Sequence, residues 1–338
     1  MQFPSSILPS QTAVLPARTH MRAVAFLFLV TCSVVSTAPL FASFEELPTG
    51  ARQAGLGDAF TAVADDIYSA YYNPAGLAQL NRSEFTAYYS KLYAGLSDGS
   101  NIGRSYVAYG QPTQKHGTFA LSYLSLSLAD LYSESTIGLH YAIPIKEKWN
   151  VGGSLKFLRK SFGSDTYTQN AVNDSGSSLG SPDPLFAANG NSKSAASFDL
   201  GAQYRLSKIY GVGFAILNAN SPNTALSSAD TDKVSAVYKV GLARHTKKSV
   251  VSAEVSMRTF TSSEYRFNMG AERWFNSGFG IRGGLGFGQR SYQSTSLGFS
   301  YRWDVMEIDY ALIYPLSGIQ GTYGTHQVSM LFRFGRRK

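Results

Sequence analysis

The sequence predicts an all-β protein: a transmembrane antiparallel β-barrel of about fourteen strands with a short helical N-terminal hatch or plug. Three observations predict it. Aromatics make up 13% of the 338 residues, with 32 glycines and only 12 prolines, which suits many short strands. From Glu84 to Phe334, stretches of about ten residues alternate apolar with polar or small side chains. The connections between them also alternate, short with longer. Charged residues are 15%, too few beside so many aromatics for a disordered chain. No run of roughly 18 apolar residues follows residue 42, which excludes a polytopic helical bundle.

At the N-terminus, Met21-Arg22 precedes an apolar run from Ala23 to Val30, and small residues follow to Ala42. A basic start, a short apolar core and a small residue before the break read as a secretory signal cut after about Ala42. Translation is expected to start at Met21. An anchor helix and a lipoprotein lipidated at Cys32 are the alternatives. Cys32 is the sole cysteine, so the mature chain is expected to hold no disulfide and no cysteine metal site. Arg18 and Arg22 fall in the leader, so the formal charge of +8 drops to +6 beyond it.

Residues 43–83 carry no period-two pattern and are dominated by small side chains, as a segment packed in a confined lumen would be. Asp58 and Asp65 are each expected to cap a short helix, and Asn73 a third with Pro74 at its first position.

Fourteen strands follow, at about 84–92, 102–111, 117–127, 134–143, 150–160, 195–206, 209–218, 233–244, 249–258, 264–274, 278–288, 294–303, 304–314 and 326–334. In one of them Tyr265, Phe267, Met269 and Ala271 alternate with Arg266, Asn268, Gly270 and Glu272. A soluble sandwich also alternates, but its strands are shorter and its polar face is a Lys/Glu-rich solvated surface. Here the polar face carries Gly, Ser and charges of the buried kind. Every second connection is short and the others longer, the asymmetry of outer-membrane barrels, so both chain ends are expected in the periplasm.

The face opposite the apolar one is expected to line the lumen. It presents Lys156, Asp199, Arg205, Lys239, Glu254, Arg258, Arg266, Glu272, Arg282, Arg302, Glu307, Asp309 and Arg333. Wall-to-wall ion pairs are the first reading of this set and a charged constriction the second. The inward glycines Gly280, Gly284, Gly286 and Gly288 leave room for something inside the barrel at that wall.

The stretch Gly50-Ala51-Arg52-Gln53-Ala54-Gly55-Leu56-Gly57-Asp58-Ala59-Phe60-Thr61-Ala62-Val63-Ala64-Asp65-Asp66, followed by Tyr71-Tyr72-Asn73-Pro74-Ala75-Gly76-Leu77, resembles the N-terminal signature of the FadL-like outer-membrane superfamily, most closely its shorter PorV/PorQ-type branch. The resemblance implies a fourteen-stranded barrel plugged by an N-terminal hatch whose Asn-Pro-Ala element is Asn73, Pro74 and Ala75. It implies a leader at 1–42, a hatch at 43–83 and a barrel at 84–338, with gating residues Gly55, Gly57, Asp58, Asp65, Asp66, Asn73, Pro74, Ala75 and Gly76.

The function expected from the resemblance is an outer-membrane channel or transporter for hydrophobic small molecules of the long-chain fatty-acid kind. The alternative is a PorV-like component of protein secretion or surface attachment. A porin-like or purely structural barrel is the third reading. Expected partners are outer-membrane lipids and lipopolysaccharide, a hydrophobic ligand in the lumen, and secretion partners under the alternative. No cofactor, metal or nucleic acid is expected. The histidines lack metal-ligand spacing, and His140 and His326 have no evident catalytic partner, so an enzyme is not expected. Basic residues in the short turns, Lys146, Lys148, Lys208, Lys247 and Lys248, suit anionic phospholipid heads.

Overall fold

The computed structural model describes residues 43–96, 101–113, 115–163, 170–173, 175–259, 263–319 and 321–335. The expected leader, its cleavage site and Cys32 lie outside the described residues.

Period-two patterning becomes a closed barrel. Its strands are β1 (Ser83–Leu92), β2 (Ile102–Pro112), β3 (Thr118–Leu128), β4 (Tyr132–Ile145), β5 (Trp149–Phe162), β8 (Ser192–Arg205), β9 (Tyr210–Leu217), β10 (Val237–His245), β11 (Ser249–Arg258), β12 (Glu264–Trp274), β13 (Phe279–Gly288), β14 (Gln293–Trp303), β15 (Met306–Pro315) and β16 (Thr325–Phe334). Each pairs antiparallel with its neighbours, and β1 closes on β16 from Ser83↔Phe334 to Lys91↔His326. Closure leaves no unpaired edge, as a strand wall in lipid requires.

Side chains sort as a membrane wall needs. Phe267 points outward with 36% of its surface exposed, while its neighbour Asn268 points inward with 4%. Leu121, Leu139, Leu155, Leu200, Val251 and Leu297 repeat the outward pattern. Such a belt is unfavourable in water and favourable against hydrocarbon. The buried core is instead inside the barrel, where Leu56, Phe60, Val63, Ile67, Tyr68, Tyr72 and Leu77 of the N-terminal segment meet Tyr106 and Leu331 of the wall.

That segment holds α1 (Ala51–Gly55), α2 (Ser69–Tyr72) and a 3-10 helix (Pro74–Gln79). Asn73 caps the last: its side chain accepts from Ala75 N, with Pro74 at the first position. The other two expected caps are corrected. Asp58 follows α1 in the left-handed region at φ 68, where its carboxylate accepts from the Tyr72 hydroxyl at 2.5 Å. Asp65 pairs with Arg52, and it is Asp66 that accepts from the main chain of Tyr68 ahead of α2.

Two departures concern the wall. The strand expected at 233–244 begins only at Val237, because β9 stops at Leu217. Asn218 takes φ 52 and gives its N–H to the Asp199 carboxylate at 2.7 Å, which draws the chain off the ladder. The long loop after β5 carries its own hairpin, β6 (Asn170–Val172) with β7 (Ser178–Pro182), and α3 (Pro184–Asn189). The loop asymmetry is also weaker than expected. The connection from β3 to β4 is only Ala129 to Leu131, as short as the turns at the opposite end. The barrel end with the 163–191 and 218–236 connections is called the loop end below, and the other the turn end.

Candidate functional site

The site is the lumen and what fills it. From Ala51 to Gln79 the N-terminal segment runs round the inside of the barrel and touches all fourteen wall strands. Close approach is made possible by missing side chains on the wall. A Cβ on Gly284 would stand 2.2 Å from Gly57 N, and one on Gly270 would stand 2.1 Å from Leu56 O. Gly213 bears on Thr61, Gly201 on Asn73, Gly152 on Pro74, and Gly298 on Gly55 in the same way. These glycines lie on seven different strands once Gly110, under Ile67, is included. The sequence singled out only those of β13.

Charge fixes the segment where glycine admits it. Arg52 grips Glu272 of β12 with two bonds, Nε at 2.9 Å and Nη2 at 3.0 Å. It also binds Asp65 at 2.5 Å and Asp66 at 2.8 Å within its own segment. Glu272 passes on to Arg282 at 2.6 Å, and Arg282 reaches Asp309 at 3.1 Å and, more loosely, Glu307 at 3.8 Å. Glu307 holds Arg302 at 2.7 Å and Arg333 at 2.6 Å. Arg333 binds Glu84 at 3.1 Å, and Glu84 accepts the main-chain N–H of Ile67 at 2.9 Å. The network thus starts and ends on the segment.

A second cluster holds its start. Glu45 accepts from Arg258 at 3.1 Å and Arg266 at 2.9 Å. Lys239 binds Glu46 closely and Glu254 at 3.4 Å, and Glu254 accepts from Thr61 N at 2.9 Å. Burial pushes the Asp58 carboxyl up to about 7, with Lys239 opposing and Glu46 and Glu254 adding to the rise. Burial also raises Asp66 despite Arg52. For Glu45, burial works upward but Arg258 and Arg266 outweigh it and hold the carboxyl below its ordinary value.

Of the expected lumen residues, Glu254, Arg258, Arg266, Glu272, Arg282, Arg302, Glu307 and Asp309 join these two clusters. Arg205 does not. It sits exposed at the turn end of β8 beside a recess of about 300 Å3 shared with Asp65, Gln79 and His245. Gly55, Gly57, Pro74 and Ala75 lie against the wall glycines, and Gly76 is pressed on Ala64 of its own segment. Reading the sequence missed Arg52, Glu84 and the Glu45–Glu46 pair. Arg52 had a signal, being the lone cation in a buried-type stretch with three aspartates. It also missed the partners of two histidines. His140 lies between Ser122 at 2.8 Å and Ser154 at 2.7 Å, its inward neighbours on adjoining strands, and His326 meets the Tyr310 hydroxyl at 2.7 Å.

Two cavities lie on the loop-end side of the segment. One of about 70 Å3 is lined by Phe44, Tyr71, Tyr106, Leu124, Leu126 and Leu158 together with the charged Glu46, Arg104, Glu134, Lys156 and Asp199. The other, of about 290 Å3, lies between Glu45, Arg258 and Arg266 on one side and Leu92, Tyr93 and Ile313 on the other.

A family model described as "Uncharacterised protein family (UPF0164)" matches residues 40–122. No curated protein matches the chain. Among solved structures, the CymD monoaromatic hydrocarbon channel is similar at a TM-score of 0.64 and 15% identity, over 88% of this chain and 100% of that one. The Pseudomonas putida toluene transporter TodX gives 0.60 and 12%, over 85% and 97%. A Pseudomonas aeruginosa FadL homologue gives 0.57 and 13%, over 86% and 99%. None of these three is a PorV- or PorQ-type protein by name. The chain therefore has the closed, fourteen-stranded antiparallel barrel fold of FadL-like channels.

Proposed function

We propose that the protein is an outer-membrane channel for small hydrophobic molecules, with residues 43–80 as a movable hatch. The observation that carries this reading is the bore: a continuous wall filled by the chain's own N-terminal segment, with a cavity of mixed aromatic, aliphatic and charged lining on the loop-end side of the filling. The cavity of about 70 Å3 is under half of the ~150 Å3 that admits a benzene ring, so a ligand enters only as the segment gives way. Proteins of the same fold named for monoaromatic hydrocarbons and toluene support the substrate class. On this reading residues 1–42 are a cleaved secretion signal, the turn end faces the periplasm, and no catalysis is involved. The Glu45 and Glu46 contacts form a strap that ligand entry displaces.

Planar-bilayer conductance and uptake test it together. Full-length protein is expected to be nearly silent and a 43–80 deletion to conduct steadily. The deletion still assembles, because β1 and β16 pair through their own main chains. Cells carrying full-length protein are expected to take up toluene or dodecanoate faster than cells without it. Equal conductance of the two proteins removes the hatch. Unchanged uptake, with an exported protein left unattached when the gene is deleted, moves the assignment to secretion or surface attachment.

A further inference from the structure

The outer wall has a notch. Along β5 the outward positions run Val151, Gly153, Leu155 and Phe157, so one lipid-facing position has no side chain. Gly153 pairs with Tyr141 on β4 and with Leu200 on β8, both outward and exposed. Tyr141 also pairs with Phe119 of β3, their rings 4.7 Å apart. Phe119, Tyr141 and Gly153, with Tyr109, Leu121, Leu139 and Leu155, bound an open groove of about 640 Å3 on the outside of the barrel. Its floor includes Ala120, His140 and Ser154, whose side chains point inward, so the groove reaches their main chain. The gap is not forced by crowding: a Cβ on Gly153 would meet only Asp199 O at 3.4 Å and Leu200 Cδ2 at 3.9 Å, ordinary contacts.

Below the notch, at the turn end, two turns sit side by side. Gly117 of the β2–β3 turn abuts Ala142 O of β4, so this turn, with Lys115 and His116, and the β4–β5 turn, with Lys146 and Lys148, lie at the same end of the β3–β4 pair. All four are exposed, and Glu147 is the one carboxylate in the pair of turns. From Tyr141 to Lys146 is five residues, about 16 Å at a strand's rise of ~3.3 Å per residue. At the ~40° tilt of barrel strands that is about 12 Å of depth, somewhat under half of the ~30 Å hydrocarbon core. Trp149, its ring 4.6 Å from that of Tyr204 and paired with Ile145, stands between the two levels where an interfacial aromatic belongs.

We propose that this groove and its basic turns form a binding site for one anionic phospholipid of the periplasmic leaflet. One acyl chain fills the space over Gly153, and the phosphate meets Lys115, Lys146 and Lys148. Charge complementarity selects this occupant: three lysines against one carboxylate at the depth of the headgroup, over an apolar slot at the depth of the chain. Lipopolysaccharide is placed elsewhere, since it occupies the opposite leaflet. The leaflet assignment rests on the turn end facing the periplasm, but the lipid site does not depend on the hatch or on transport.

The test is native mass spectrometry of the full-length protein, with added phosphatidylglycerol or phosphatidylethanolamine of identical acyl chains. Wild type is expected to retain phosphatidylglycerol several-fold more than phosphatidylethanolamine. Gly153→Leu, which the backbone accommodates, is expected to lose most of the retained lipid while keeping the heat-modifiable gel mobility of a folded barrel. The Lys115→Gln/Lys146→Gln/Lys148→Gln variant is expected to retain both lipids equally. Equal retention by wild type overturns the site, and so does undiminished phosphatidylglycerol on folded Gly153→Leu. A wild-type dimer that Gly153→Leu breaks also overturns it, because the occupant is then a second copy of the chain. If transport fails its own test while these results hold, only the function falls.

Discussion

Arg52 has three carboxylates around it and little water. Such a charge is stable only while its partners stay, so removing it leaves Asp65, Asp66 and Glu272 to repel one another. Arg52→Met is expected to weaken seating of the segment by about 3–5 kcal/mol. In planar bilayers that appears as frequent openings, and limited proteolysis should then cut within residues 43–80. Asp58 poses the opposite case. Its carboxyl is raised to about 7 in the seated segment, so the seated state holds a proton that a displaced, solvated segment loses near the usual carboxylate range. Its contribution to seating is therefore full at low pH and is lost as pH rises through about 7. Channel openings are expected to increase from pH 5.5 to 8, and Asp58→Asn to flatten most of that slope. A slope unchanged in Asp58→Asn assigns the effect to another group. Arg52 showed in the sequence only as the lone cation of its stretch, and the role of Asp58 was not legible at all. Asp58 before a helical stretch looks like a cap, and only the fold shows that the chain turns left-handed there and points the carboxylate at Tyr72.

Among elements, the strands were legible and the contacts between segment and wall were not. A wall between lipid and lumen sorts side chains by period two, which is written into the sequence of each strand. Hence the ranges 249–258 and 264–274 coincide with β11 and β12. Face does not reveal partner: period two set Gly284 inward and Gly283, whose Cβ would meet only Ser296 O at 3.9 Å, outward, but it did not show that Gly57 lies over Gly284. A paired substitution separates them. Gly284→Val is expected to assemble as a barrel yet conduct, because its side chain occupies the place of Gly57. Gly283→Val, on lipid, should stay silent. The lipid belt has its own test. Phe267→Lys costs about 2–4 kcal/mol if it falls near mid-bilayer and is expected to block assembly, whereas Asn268→Lys on the inner face assembles. Folded yield by gel mobility distinguishes them, and equal yields contradict the face assignment.

For the molecule as a whole, the position of the segment bears on how such a chain can be made. Ile67 bonds to Glu84 on β1, and Ala51 bonds to Ser329 on β16 at 3.3 Å. The segment therefore spans, from within, the seam where the first and last strands meet. Residues 49–80 are synthesised before any strand, yet they end enclosed by all of them. A ring zipped shut beforehand would offer them no side entrance, only the narrow ends. The order that needs no threading has the wall growing around the segment and the Ser83–Phe334 seam closing last. The buried ion chain through Arg333 and Glu84 then comes together at that closing step, because its two halves belong to opposite lips of the seam. The filling is in this sense what the last seam closes over, tied to both of its lips by Glu84 and Ser329.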